Sequence, residues 1–217
     1  MVSILGSFDV HSPEHGKLLK VNLVEGLDNA HLDYIDQRWR PVIAQRRNLA
    51  LLQYFLLPEA SQTEQAFRDI LARLGIADEH WDWRKKCSFA AGTKRQPYAV
   101  LCGGEVEAVM MLQYGHKARL GAAGDSLVYV EFLSTAPWNR RVIQFPQRFR
   151  GLSKLMLGTA VAVSRMQNCD GRCGLHSLPS AEGVYRRYGM AEFGLDPTKD
   201  NLRYFEFDEQ AAHAFTG

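Results

Sequence analysis

Arg148-Phe149-Arg150-Gly151-Leu152-Ser153 is the stretch on which the reading of this chain turns. It lies between a β-prone run and an amphipathic helix, and it opens that helix. Small residues at Gly151 and Ser153 let backbone N–H groups approach a ligand closely. The first turn of the helix carries N–H groups with no partner inside it, and the positive end of its dipole points outward. Arg148 and Arg150 add charge. Together these residues describe an anion site suited to a pyrophosphate. A basic loop capping an ordinary helix would use the same residues, and short Gly-containing loops are common. No Gly-Lys-Ser/Thr follows, so this is not a Walker A loop, and the three-glycine dinucleotide pattern is absent.

Outward from the loop, the chain alternates strands and helices. The helix runs from Leu152 to about Gln167, with Leu152, Leu155, Met156, Ala160, Val163 and Met166 on one face. A β-prone strand, Leu127 to Leu133, precedes it. A short strand, Arg172 to Ser177, follows, then a helix from Ser180 to Tyr188 and a strand from Leu202 to Phe207. Upstream, Tyr98–Cys102 and Glu105–Leu112 flank Gly103-Gly104, a pair suited to the positive φ angles of a type I′ hairpin. The first half is helix-rich. Asp28 to Leu57 is broken at Pro41 and stopped by Pro58. Ser61 is the expected N-cap of the next helix, with Glu64 completing a capping box. That helix buries Ala66, Phe67, Ile70, Leu71 and Leu74, and Gly75 is its C-cap. A short helix is expected over His80 to Lys86, and a first strand over Leu18 to Val24. The order is α/β, with late strand-helix-strand crossovers.

The 217 residues suit one large domain or two small ones. We expect a single domain over 1–217, with a mainly helical part at 1–95 and the hairpin and ligand-binding core at 96–217. At 46% hydrophobic and 23% charged, the chain can bury a core. Its net charge of +2 excludes a polybasic protein, so an anion site must be local. The apolar run Leu49 to Leu57 is interrupted by Gln53 and falls far short of the about 20 residues of a membrane span. Met1 to His11 lacks the basic start of a signal peptide. Four cysteines are too few for a disulfide scaffold, so a reduced, cytoplasmic protein is expected.

Several motifs together resemble the GNAT superfamily of N-acetyltransferases. Arg148-x-x-Gly151-x-Ser153 resembles that family's Gln/Arg-x-x-Gly-x-Gly/Ala loop, which binds the pyrophosphate of coenzyme A. Leu133-x-Thr135-x-Pro137 resembles the end of its fourth strand. The segment from Ala181 through Tyr185 to Gly189-Met190 resembles its late helix, and the hairpin at Gly103-Gly104 resembles its second and third strands. The resemblance covers Tyr98 to Phe207. It implies a mixed, splayed central sheet with flanking helices, here with a helical N-terminal extension. The cofactor would sit where the strand at 127–133 parts from the strand at 172–177. Two departures stand out: Ser153 is larger than the usual Gly or Ala, and Pro137 to Arg148 is a longer connection than usual.

By the resemblance, Arg148, Phe149, Arg150, Gly151, Leu152 and Ser153 would hold acetyl-CoA, the co-substrate. The backbone of Thr135 and Ala136 would bind the pantetheine arm and polarise the thioester carbonyl. Acetyl transfer also requires that the amine lose a proton and that the departing thiolate gain one. Tyr185 suits the second task, because a phenol of pKa about 10 is protonated at neutral pH and can donate to a thiolate of pKa about 8.5; the family often uses a tyrosine there. Packing on the helix is the alternative for this residue. Glu131 is the candidate base, lying opposite Val128, Val130 and Phe132 on its strand; an exposed strand glutamate is the alternative. His176 is a weaker base candidate. No cysteine stands beside an obvious base, which favours direct attack by an amine over an acyl-enzyme.

The expected acceptor is a small-molecule or peptide amine, with no membrane or nucleic-acid partner and a homodimer left open. The alternatives are a longer-chain or acyl-carrier-protein-dependent acyltransferase and a non-catalytic coenzyme A-binding module. Cys169-x-x-x-Cys173 and His11-x-x-x-His15 lack a second pair at zinc spacing, so no metal is expected. The cluster of Trp81, Trp83, Arg84, Lys85 and Lys86 reads as a solvated helix end. Ser177 beside His176 lacks an elbow motif.

Overall fold

The structure, a computed structural model, describes residues 2–122 and 124–217. Its first two elements are an antiparallel hairpin, β1 (Ser3–Ser12) and β2 (Lys17–Glu25), in which Ser12 faces Lys17. The strand expected at 18–24 is β2; β1 was not expected. The N-terminal part therefore opens with sheet, and its helices follow.

Helix α1 (Asn29–Tyr34) is capped by Asp28, whose carboxylate accepts the His31 N–H at 3.0 Å. A π-helical turn over Ile35–Trp39 joins it to α2 (Arg40–Phe55). Pro41 thus sits in the first turn of α2, where its missing N–H costs nothing. The break is a shift in winding, and the chain does not turn there. Helix α3 (Glu64–Arg73) is capped by Thr63, which accepts the Ala66 N–H at 3.1 Å. Ser61, the expected cap, lies in a 3₁₀ turn two residues earlier. Gly75 ends the helix with φ +76°, and a Cβ there would lie 2.3 Å from Val142 Cγ1. Helix α4 (Trp83–Ala90) starts three residues later than expected, because Asp82 accepts the Lys85 N–H at 3.0 Å and sets its start.

Strands β3 (Arg95–Cys102) and β4 (Glu105–Lys117) flank Gly103 and Gly104, both at positive φ (58° and 86°), as a type I′ turn requires. Then come β5 (Ser126–Thr135), α5 (Leu152–Met166), β6 (Cys173–Ser177), α6 (Glu182–Arg187), β7 (Ala191–Asp196), β8 (Leu202–Phe207) and α7 (Glu209–Thr216). The strands form one mixed sheet in the order β1-β2-β3-β4-β5-β6-β8-β7. β5 and β6 are parallel and joined by α5, while β8 lies antiparallel between β6 and β7. The β5–β6 pairing stops at Val130–Leu175, although β5 continues to Thr135.

The residues divide into two compact units: Met1–Phe89, Ala99–Ala108 and Ser134–Leu152 in the first, and Ala90–Tyr98, Val109–Leu133 and Ser153–Gly217 in the second. In the first, Ala50, Ile70, Leu71 and Ile76 form a core joined by Ile43, Phe67 and Ile143. Trp39 is fully buried and donates its indole N–H to Val106 O at 3.1 Å. In the second, register separates two sheet faces. Val128, Cys173 and Phe207 share one, with Leu175 and Phe205. Helices cover it: Tyr185 of α6 lies 5.6 Å from Phe205 and Phe215 of α7 lies 5.0 Å from Phe207, centroid to centroid. The other face carries Tyr129, Gly174, His176, Tyr204 and Glu206. Among the described residues no helix is long and apolar enough to cross a membrane.

Candidate functional site

Glu107 organises the loop that precedes α5. It is one carboxylate in an otherwise apolar run, Val106 to Leu112, and it is fully buried. Burial pushes its carboxyl above the usual range, while donors from Asn139, Trp138 and Arg148 pull the other way. Trp138 Nε1 and Asn139 Nδ2 donate to Oε2 at 2.8 and 2.7 Å, and an Arg148 guanidinium nitrogen lies 2.9 Å from Oε1. Arg148 also bonds Glu105. The long connection from Pro137 to Arg148 is therefore clamped to β4 through one buried acid.

This clamp changes what the loop offers a ligand. The charge of Arg148, assigned to an anion by its sequence position, is shared by two carboxylates. The backbone is also engaged. The N–H of Arg148 donates to Trp138 O at 3.0 Å, that of buried Phe149 to Asn139 Oδ1 at 2.8 Å, and that of Arg150 to His11 O at 3.0 Å. The Ala136 N–H, expected to help polarise a thioester, donates instead to Glu107 O at 2.9 Å. The Thr135 carbonyl accepts from Arg140 at 2.7 Å, and Arg140 in turn pairs with Asp78 at 2.6 Å. What remains is Gly151, the first-turn N–H groups of α5 beginning at Leu152 and Ser153, and the exposed side chain of Arg150. Gly151 adopts φ +92°, and a Cβ there would meet nothing within 4 Å, so the glycine is set by conformation and not by crowding.

Ser153, the unusual last position of the loop, spends its hydroxyl on Tyr188 OH at 3.1 Å. This ties α5 to the end of α6. Tyr185, three residues earlier, is buried. Burial first and Tyr188 second push its phenol far above the usual range, so it is a donor at any neutral pH.

On the polar sheet face, Glu131 is not a free carboxylate. Arg95 of β3 grips it at both oxygens, Nε to Oε2 at 2.6 Å and a terminal nitrogen to Oε1 at 3.1 Å. A bidentate pair of this kind occupies both carboxylate oxygens. Nearby, His176 is bonded on both ring nitrogens, to Tyr129 OH at 2.8 Å and to Asp196 Oδ2 at 3.1 Å. Sequence reasoning missed Tyr129, Asp196, Glu107 and Asn139. Only Glu107 carried a signal, as a lone acid in an apolar strand; the others are joined by pairing that spacing does not reveal.

Thiol chemistry is disfavoured. Cys87, Cys102, Cys169 and Cys173 are unpaired, and burial raises each thiol, Cys87 to about 11 and Cys173 to about 12. Among the described residues no group of three or more His, Cys, Asp or Glu could hold a metal ion.

No family model matches the sequence, and no curated protein does. Solved structures match by shape. One is an acetyltransferase of the GNAT family from Listeria monocytogenes 4b F2365, with TM-score 0.51 at 14% identity, covering 93% of this chain and 99% of that one. Another is FeeM, an N-acyl amino acid synthase from uncultured soil microbes, with TM-score 0.51 at 8% identity, covering 90% and 94%. By these likenesses the chain has the GNAT acetyltransferase fold, here with a parallel β5–α5–β6 crossover, pairing that ends short of the end of β5, and β8 between β6 and β7.

Proposed function

We propose that the protein is an N-acyltransferase that moves an acetyl group from acetyl-CoA to an amine by direct attack. The observation that carries the reading is the start of α5. Gly151 is held at positive φ, the first-turn N–H groups of a 15-residue helix have no partner inside the helix, and Arg150 makes no ion pair among the described residues. A pyrophosphate satisfies these donors and the helix dipole together. Arg148 and Phe149 act there through the loop's shape, one by its clamp on Glu107 and the other by its buried ring, while Leu152 and Ser153 present the helix end. Thr135 and Ala136 line the end of β5, with the Ala136 amide withdrawn as a donor.

Tyr185 is the acid in this reading. Its OH has no hydrogen-bond partner among the described residues and is protonated at neutral pH, so it can turn to the departing sulfur. Glu131, held at both oxygens by Arg95, positions this face of the sheet, and it does not itself take the proton. The four raised thiols favour direct attack over a cysteinyl intermediate.

Calorimetric titration with coenzyme A tests the binding half. Gly151→Val and Arg150→Ala should each weaken affinity about 10-fold or more, the cost of one charge-assisted contact or of a strained left-handed residue. Unchanged affinity in both variants would place the cofactor elsewhere.

A further inference from the structure

We propose that Asp196, His176 and Tyr129 form a proton relay that accepts the proton of the acceptor amine, with the Tyr129 hydroxyl oxygen as the atom facing the amine directly or through one water. The proposal rests on the acyl-transfer reading above.

The relay has a direction. Asp196 is held well below the usual carboxylate range, first by the Thr198 hydroxyl and then by the Thr198 N–H, at 2.7 and 2.9 Å on Oδ1. An ionised carboxylate can only accept, so His176 Nε2 carries the hydrogen in the 3.1 Å contact with Oδ2. Nδ1 is then bare, and the 2.8 Å contact with Tyr129 must be the phenol donating to the imidazole. Burial lowers the His176 pKa, with Asp196 opposing, so the ring is neutral near pH 7 and can take a proton. The Tyr129 phenol is pushed up to about 12, first by burial and then by Glu131. It cannot hold a negative charge at neutral pH, but it can gain one proton as it passes its own to Nδ1.

The surroundings define the relay's pH response. From β4, His116 stacks on Tyr129 with centroids 4.5 Å apart, and its own pKa is lowered, by burial first. Glu131 lies two residues along β5 on the same face, neutralised by Arg95. From β8, Tyr204 lies 4.9 Å from the His176 ring and gives its hydroxyl hydrogen to Glu206. Arg119 covers Tyr204 at 4.1 Å and donates to Asp196 at 3.1 Å, and Lys199 lies 5.9 Å from the Tyr129 ring. Gly174 makes room for this packing, since a Cβ there would lie 2.2 Å from Tyr204 OH. With both oxygens of Glu131 occupied, His176 Nδ1 is a neutral acceptor reached through the Tyr129 phenol that donates to it.

The step balances. The ammonium N–H breaks as an O–H forms on Tyr129, and the Tyr129 proton moves to His176 Nδ1. The imidazolium is then paired with Asp196 and later releases its proton to solvent. The neutral amine forms the C–N bond, the C–S bond breaks, and the thiolate takes a proton from Tyr185. The amine's second proton restores Tyr185. An ammonium and an acyl thioester become an amide, a free thiol and one proton.

Two measurements decide the matter. In wild-type protein, nitrogen-15 NMR of His176 should show Nε2 protonated and Nδ1 bare at pH 7, with a midpoint below the usual histidine value. The opposite tautomer would overturn the relay. Thiol release from acetyl-CoA is then followed against pH with the best amine from a panel of primary amines. His176→Gln and Tyr129→Phe should each lose about 10²- to 10⁴-fold in kcat/KM near pH 7. Much of the loss should return as pH approaches the amine's own pKa of about 10, while coenzyme A affinity stays unchanged. Folded variants with wild-type pH profiles would overturn the relay alone. A wild-type protein that releases thiol with no amine in the panel would overturn the acyl-transfer reading itself.

Discussion

Arg148 separates a structural clamp from a ligand contact, and its removal gives opposite results in the two cases. In Arg148→Ala, the fully buried Glu107 keeps Trp138 and Asn139 but loses the one countercharge within bonding distance among the described residues. Breaking a buried pair by deleting one partner costs about 3–5 kcal/mol, and the two remaining donors favour the lower end, about 3 kcal/mol. For a chain of this size that is a fall in Tm of about 6–12 °C. The sign of the pH effect follows from Glu107. Its carboxyl is raised in the folded protein, so it favours folding in acid and costs stability as pH rises through its folded value. Losing Arg148 raises it further, so the deficit should shrink between about pH 8 and about pH 5 as the carboxyl is protonated. Adding Glu107→Gln should restore much of the loss, with a coupling of about 2 kcal/mol in the double-mutant cycle. Thermal unfolding of the four proteins at both pH values checks this. An unchanged Tm together with lost coenzyme A affinity would refute the clamp and return Arg148 to the anion site. So would a deficit that is equal at both pH values.

Tyr185→Phe keeps the ring against Phe205 and should leave coenzyme A affinity intact while lowering kcat and kcat/KM alike by about 10²-fold or more, read by steady-state thiol release. Gly174→Ala forces a methyl to 2.2 Å from Tyr204 OH, and such overpacking should cost about 1–3 kcal/mol in denaturant unfolding. Thr63→Ala deletes the α3 cap and should cost about 1 kcal/mol, whereas Ser61→Ala should cost almost nothing.

The parts of the fold visible in the sequence were those encoded locally. Gly103-Gly104 dictates a turn by its φ angles, and the apolar face of α5 announces a helix wherever it packs. The exposed strands were the ones missed. β1 carries Gly6 beside a register shift and leaves Ile4 and Phe8 exposed, and β7 is interrupted by a shift around Gly194, so neither alternates cleanly. Helix α7 is eight residues long, too short for periodicity to speak, although Asp208 caps it at 2.7 Å to Ala211 N–H. At the candidate site, the residue types at 148–153 pointed to an anion. The partners of Arg148 and of the Ala136 amide lie about 30 to 40 positions upstream on β4. Spacing along the chain cannot show that a charge is already spent, and the same holds for Glu131 and Arg95.

Amine-dependent thiol release from acetyl-CoA tests the central claim most directly. Purified protein with acetyl-CoA should release free thiol when a primary amine is supplied and far less without one, and mass spectrometry should find the acetyl group on the amine. Thiol release that ignores added amines, or tight coenzyme A binding with no acetylated amine across a broad panel, would contradict it.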